Sequence, residues 1–177
     1  MQKEIFKFST REEYLQALDA VLPEKYEQTR KLGGNKTHTY LPTAIQEAVA
    51  DDIFHYWNVE IISDPVVIIN EVILKVKICF SPSYPDAGEF TVAGIAAQPI
   101  QQIKGSDASK FPTGKVLNAL EYNLPSLKSR AVGNALESLG NIFGRNISRR
   151  LNQNESLPKN FTLRKHDSKE KEPAKKS

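Results

Sequence analysis

The chain has 177 residues, 40% of them hydrophobic and 25% charged, enough for one domain with its own core plus a tail, so no staple of disulfides or metal is required. Its single cysteine, Cys79, excludes an internal disulfide framework and a multi-cysteine zinc site. The net charge of +3 is unevenly spread. Seven Lys/Arg stand against three acids in 156–177 and five against two in 125–155, which leaves 1–124 at −4, so only part of the surface is suited to meet a polyanion.

The opening MQKEIFKFSTREE lacks the apolar centre of a signal peptide, and no apolar run approaches a bilayer span, so an intracellular protein with no membrane partner is expected. Ser9 and Glu12 form an S-x-x-E capping box, and Tyr14, Leu15, Leu18, Val21 and Leu22 follow at helical spacing until Pro23. EKYEQTRKLGGNKTHTYLP reads as a basic loop or a hairpin centred on Gly33 and Gly34, ending in a strand from Thr37 to Leu41. It is not a P-loop, because G-x-x-x-x-G-K-[ST] is absent here and around Gly114-Lys115. Its cations Lys25, Arg30, Lys31 and Lys36, with Tyr40 nearby, suit either a solvated turn or the edge of a nucleic-acid path.

Thr43 and Gln46 read as a second capping box, and Ile45, Ala48, Val49, Ile53 and Tyr56 as the buried stripe of a helix ending near Trp57. The period then changes to two, with Trp57, Val59 and Ile61 alternating with Asn58, Glu60 and Ile62. Asp64-Pro65 turns the chain. The β-branched run Val66 to Phe80 predicts one long strand, bulged near Asn70, with Leu74, Val76, Ile78 and Phe80 inward and Lys75 and Lys77 toward solvent. A buried thiol is expected at Cys79. After the turn SPSYPDAG, Phe90 to Ala97 predicts a third strand, and 98–115 a loop.

The segment Pro125 to Arg150 carries the longest helical period. Val132, Ala135, Leu136, Leu139, Ile142, Phe143 and Ile147 share an apolar side, and Arg130, Asn134, Asn141, Arg145 and Arg149 a polar one on which Glu137 is the only acid. Gly133, Gly140 and Gly144 fall between them. Each costs roughly 1 kcal/mol against alanine in a helix, so something must approach the backbone there: a sheet, another subunit or a phosphate chain. The expected architecture is α+β, an antiparallel sheet crossed by this long helix, over residues 1–152, with a disordered Lys-rich tail over 153–177.

Catalytic constellations are sparse. Asp51, Asp52, Glu60, Asp64, Glu71, Asp86 and Glu89 are scattered without a metal motif, and His38, His55 and His166 lack zinc spacing. There is no G-x-S-x-G elbow and no Cys/His nucleophile pattern. A non-enzymatic protein is expected.

Three stretches together resemble the single-strand annealing proteins of the Rad fifty-two superfamily, which includes phage and mobile-element recombinases. They are YEQTRKLGGNKTHTYL from Tyr26, ADDIFHYWNVEI from Ala50 and LKSRAVGNALESLGNIFGRNI from Leu127, and the likeness spans about residues 10–150. It implies a curved sheet crossed by the long helix, and a homo-oligomeric ring or helical filament holding single-stranded DNA by its backbone. The bases would face outward for annealing in recombination and repair, with no cofactor. Arg30, Lys36 and Tyr40 match groove residues of the family. At helix positions that are basic in eukaryotic members stand Gly133, Asn134 and Glu137, so Arg130, one turn earlier, and Arg145 would substitute, with Lys128 beside them. The resemblance also implies a bacterial or phage-infected cytoplasm, or a nucleus in a eukaryote, and a host single-strand-binding protein or exonuclease as a further partner. Other readings are an end-protecting or scaffold protein of the same fold and, less favoured, a metal-dependent nuclease.

Overall fold

The computed structural model describes residues 6–31, 37–105 and 114–147. The Gly33-Gly34 turn with Lys36, the middle of the 98–115 loop and the Lys-rich tail lie outside the described residues. The fold is α+β, with an antiparallel four-stranded sheet, a separate two-stranded hairpin and helices that include a long one late in the chain. No helix among the described residues is long and apolar enough to cross a membrane.

Helix α1 covers Arg11–Asp19 and is capped one residue later than the sequence suggests. Thr10 Oγ1 accepts from Glu13 N at 3.2 Å and the Glu13 carboxylate accepts from Ser9 N at 2.7 Å, so T-x-x-E supplies the cap and S-x-x-E does not. The helix stops at Ala20, whose backbone is extended, so Val21 and Leu22 lie beyond it. The hairpin follows, with β1 (Gln28–Lys31) paired to β2 (Thr37–Tyr40).

Helix α2 (Thr43–Ile53) has no side-chain cap, which overturns the second capping box. Its buried residues are Gln46, Ala50 and Ile53, whereas Ala48 and Tyr56 are exposed and Tyr56 already belongs to β3 (Phe54–Ile61). The long strand expected from Val66 is two strands, β4 (Val66–Ile68) and β5 (Glu71–Pro82), folded back on each other. Where a bulge was expected there is a two-residue turn, Ile69-Asn70. Tight hairpin turns put their first residue at positive φ, and Ile69 takes φ +55° despite its branched side chain.

In the four-stranded sheet, β5 pairs with β3 and β4 on one side and with β6 (Phe90–Pro99) on the other. The alternation along β5 is as expected: Leu74, Val76, Ile78 and Phe80 are buried, Lys75 is exposed, and Lys77 pairs with Glu60 at 2.7 Å. Cys79 is only half-buried, with its Sγ 3.9 Å from Glu60 Oε1.

The late helix α3 spans Ala119–Glu137, so it starts earlier and ends far sooner than the expected Pro125 to Arg150. Pro125 sits inside it. The end tightens through bonds from Ser138 N to Ala135 O and Leu139 N to Leu136 O, then breaks at Gly140, which is extended, before a 3-10 turn Asn141–Phe143 and Gly144 at φ +93°. The apolar residues are buried nonetheless: Phe143 reaches the core from this turn, its ring 5.9 Å from that of Phe54, and Ile147 is buried on the helical residues 145–147 that follow Gly144.

Helix α3 lies on β6 and β5. Contact is closest at Gly94 of β6, where a Cβ would collide with the Ala131 carbonyl and Ala135. Asn123 Nδ2 donates to Pro99 O at 2.9 Å and Asn134 Nδ2 to Ile95 O at 2.8 Å, tying the helix to that strand. Gly94→Ala therefore has to push a helix off a sheet. Denaturant unfolding should show a loss of about 1–3 kcal/mol, whereas Gly88→Ala, with no atom within 4 Å of the added carbon, should be near neutral.

Candidate nucleic-acid interface

The two strands of the hairpin expose side chains in alternation, and the register Arg30↔His38 and Gln28↔Tyr40 puts Gln28, Arg30, His38 and Tyr40 on one face. Thr29 and Thr39 meet on the other, their hydroxyls 3.2 Å apart. On the first face the Arg30 Cζ stands 5.3 Å from the Tyr40 ring centre, a cation–π distance. Tyr40 Oη donates to Gln28 Oε1 at 3.3 Å, and the rings of His38 and Tyr40 are parallel within 3°, with centres 6.0 Å apart. The hairpin thus holds a cation and two aligned rings in fixed relation.

This face forms one wall of a cleft of about 320 Å³. The opposite wall is α3, through Arg130, Gly133, Asn134 and Glu137, whose i, i+3, i+4, i+7 spacing makes a single helical stripe. The start of α2 closes the floor with Leu41, Thr43 and Gln46. Arg30 and Arg130, far apart in sequence, therefore line one concavity. Glu137 is the only acid in its lining among the described residues.

Of the expected site residues, Arg30, Tyr40 and Arg130 come together here. Lys128 is exposed on α3 but two residues from Arg130, about 200° round the helix, and is absent from the lining. Arg145 lies past the end of α3 and its Nε donates to Glu137 O at 3.2 Å, satisfying one of the carbonyls that every helix end leaves open. That backbone bond, and not the cleft, is its position. Lys36 and Arg149 lie outside the described residues. Asn141, expected on the cationic face, donates to Asp19 at 2.6 Å.

Sequence reasoning missed His38, Thr43 and Gln46. His38 could have been found from strand alternation with Tyr40. Thr43 and Gln46 could not, because T-x-x-Q has the form of a cap, yet Thr43 Oγ1 donates to Ser129 O of α3 at 3.2 Å and Gln46 Nε2 to Phe143 O at 2.7 Å. Gln46 is 1% exposed, and its Oε1 has no hydrogen-bond partner; leaving a buried polar atom unpaired costs roughly 1–3 kcal/mol. The glycines also find their reasons. Gly133 faces Gln46 and Thr43 of α2, and Gly140 faces the Leu18 backbone of α1, so neighbouring helices of the same chain make the close approach.

Two of the acids considered as metal ligands are engaged elsewhere. Asp51 accepts from Trp57 Nε1 at 2.7 Å and Asp52 pairs with Lys7. Among the described residues no group of three or more His, Cys, Asp or Glu could hold a metal ion.

Burial pushes the His38 pKa below its usual value of 6.5, and the Arg30 charge adds to the effect. Histidine is therefore neutral in the cleft at pH 7, and the stability linked to its neutral form is present above pH 6.5 and lost as pH falls. A proton NMR titration should place its midpoint below 6.5 and, in Arg30→Gln, move it part of the way back, since burial is the larger cause.

No protein-family model matches the chain, and no curated protein is significantly similar to it.

Proposed function

We propose that this protein binds single-stranded DNA without sequence preference and anneals complementary strands, as a homo-oligomer and without a nucleotide cofactor. The observation that carries the reading is the meeting of Arg30 with Arg130 across one cleft whose hairpin wall also bears Tyr40 and His38. Cations that track a sugar-phosphate chain, joined to aromatic rings on which bases stack, are what sequence-tolerant single-strand binding requires. Annealing adds a demand: the repulsion of two backbones must be neutralised while most base edges stay free, and phosphate contacts achieve this.

Self-association has separate support. Ile61, Ile62, Val66, Val67, Ile68 and Ile69 are all exposed, Ile69 by 73%, where β3 and β4 follow each other along one edge of the sheet. An apolar edge of this kind is a template for pairing with another chain.

Charge reversal separates these elements. Arg130→Glu and Arg30→Glu should each weaken binding of oligonucleotides of any sequence by about tenfold near 50 mM salt and reduce the salt slope by about 1. Fluorescence anisotropy measures this, and unchanged affinity at low salt would remove the cleft from the binding surface. Wild-type protein should speed pairing of quenched complementary strands without ATP and run as a large assembly in mass photometry. Binding without acceleration would indicate end protection or scaffolding, and loss of DNA on adding magnesium a nuclease.

A further inference from the structure

We infer that the hairpin tip Ile68-Ile69 of one protomer seats in an apolar pocket beside α1 of the next, so that copies of this chain join head to tail. This rests on the self-association reading given above and adds to it the surface that receives the end of the exposed edge.

The tip is the unusual half of the pair. Ile69 opens the turn between β4 and β5 with φ +55°, and 73% of it is exposed. The left-handed region suits glycine or asparagine, and a branched side chain there strains the backbone. Ile68 beside it is 52% exposed. A strained apolar residue that its own chain leaves largely uncovered points to a contact outside the protomer.

The pocket lies at the other end of the sheet. Tyr14, Leu15 and Leu18 of α1 line it together with Phe80 of β5, Phe90 of β6 and Leu139. It holds about 150 Å³, and an apolar cavity of roughly that size admits a benzene-sized group, which is larger than the four-carbon side chain of isoleucine. Leu15 and Phe90 are each 47% exposed, so the pocket is open to a visitor. Glu71, next to the tip, and Phe80, in the pocket, stand near opposite ends of β5, and at about 3.3 Å per residue roughly 30 Å separates them. The tip therefore cannot fill the pocket of its own chain.

Charge favours a second copy as the occupant. Among the described residues Arg11 is the only charged group lining the pocket, and Glu71 is the charge adjoining the tip. Both are exposed, and neither forms an ion pair among the described residues. Seating the tip brings these opposite charges of two copies together. Because tip and pocket are different surfaces, the contact is heterologous, and its repetition gives a ring or a filament rather than a closed pair.

Sedimentation velocity on the full chain tests the two surfaces separately. Ile69→Gly removes the side chain and suits the positive φ, and Leu15→Glu places an acid at a half-exposed helix position one turn after Arg11. Both should fold, which circular dichroism checks, and Phe90→Glu replaces the second should it unfold. Each variant alone should sediment as a monomer. Mixed in equal amounts they should form a dimer and nothing larger, because one retains only the pocket and the other only the tip. Assemblies of wild-type size from either variant alone would overturn the inference and leave self-association standing. Variants that stay monomeric when mixed would overturn it as well, leaving each surface to some other occupant. If the wild type is itself monomeric, the self-association reading falls with it.

Discussion

Helix α3 is held at backbone distance on two sides, and the rest of the structure depends on that spacing. Below it, Gly94 lets the Ala131 carbonyl and Ala135 settle onto β6; on its other side, Gly133 lets α2 bring Gln46 and Thr43 against it. Close packing of this sort gains dispersion contacts only while no Cβ intervenes. Asn123 and Asn134 then fix the helix along the strand by donating to Pro99 and Ile95 carbonyls. A helix so constrained cannot slide, and Arg130 is carried on it to face the hairpin.

The hairpin gains its meaning from that placement. Alone, β1 and β2 are a short polar ribbon with most of their side chains exposed or half-buried. Opposite α3, the same face becomes a wall that adds a second guanidinium and two parallel rings, one of them a histidine kept neutral by burial and by Arg30. Concave walls of low polarisability strengthen the field of both arginines compared with open solvent. Glu137 tempers that field at one end of the stripe.

Gln46 links the scaffold to the cleft. Its amide nitrogen satisfies the Phe143 carbonyl in the turn that follows α3, and so pins the segment that delivers Phe143 to the core beside Phe54. Its oxygen faces the other way. One side chain thus satisfies a backbone carbonyl with one end, while its oxygen is buried without a hydrogen-bond partner.

Patterns of period and composition were enough to determine the α+β class, the inward residues of β5, the strand beginning at Thr37, and the burial of Leu136, Phe143 and Ile147. These follow from local alternation and charge, which the chain carries wherever it folds. Tertiary structure alone decided that the helical pattern from Pro125 to Arg150 is interrupted after Glu137 and resumes at Arg145, because Leu18 of α1 packs where a Gly140 side chain would stand and the backbone opens there. It also decided that Val66 to Phe80 folds at Ile69, that Arg145 bonds a helix-end carbonyl, and that Thr43 and Gln46 leave the role of a cap for contacts across to α3 and its following turn. In each case the local signal was compatible with more than one arrangement, and hydrogen bonding or packing that periodicity does not encode selected between them.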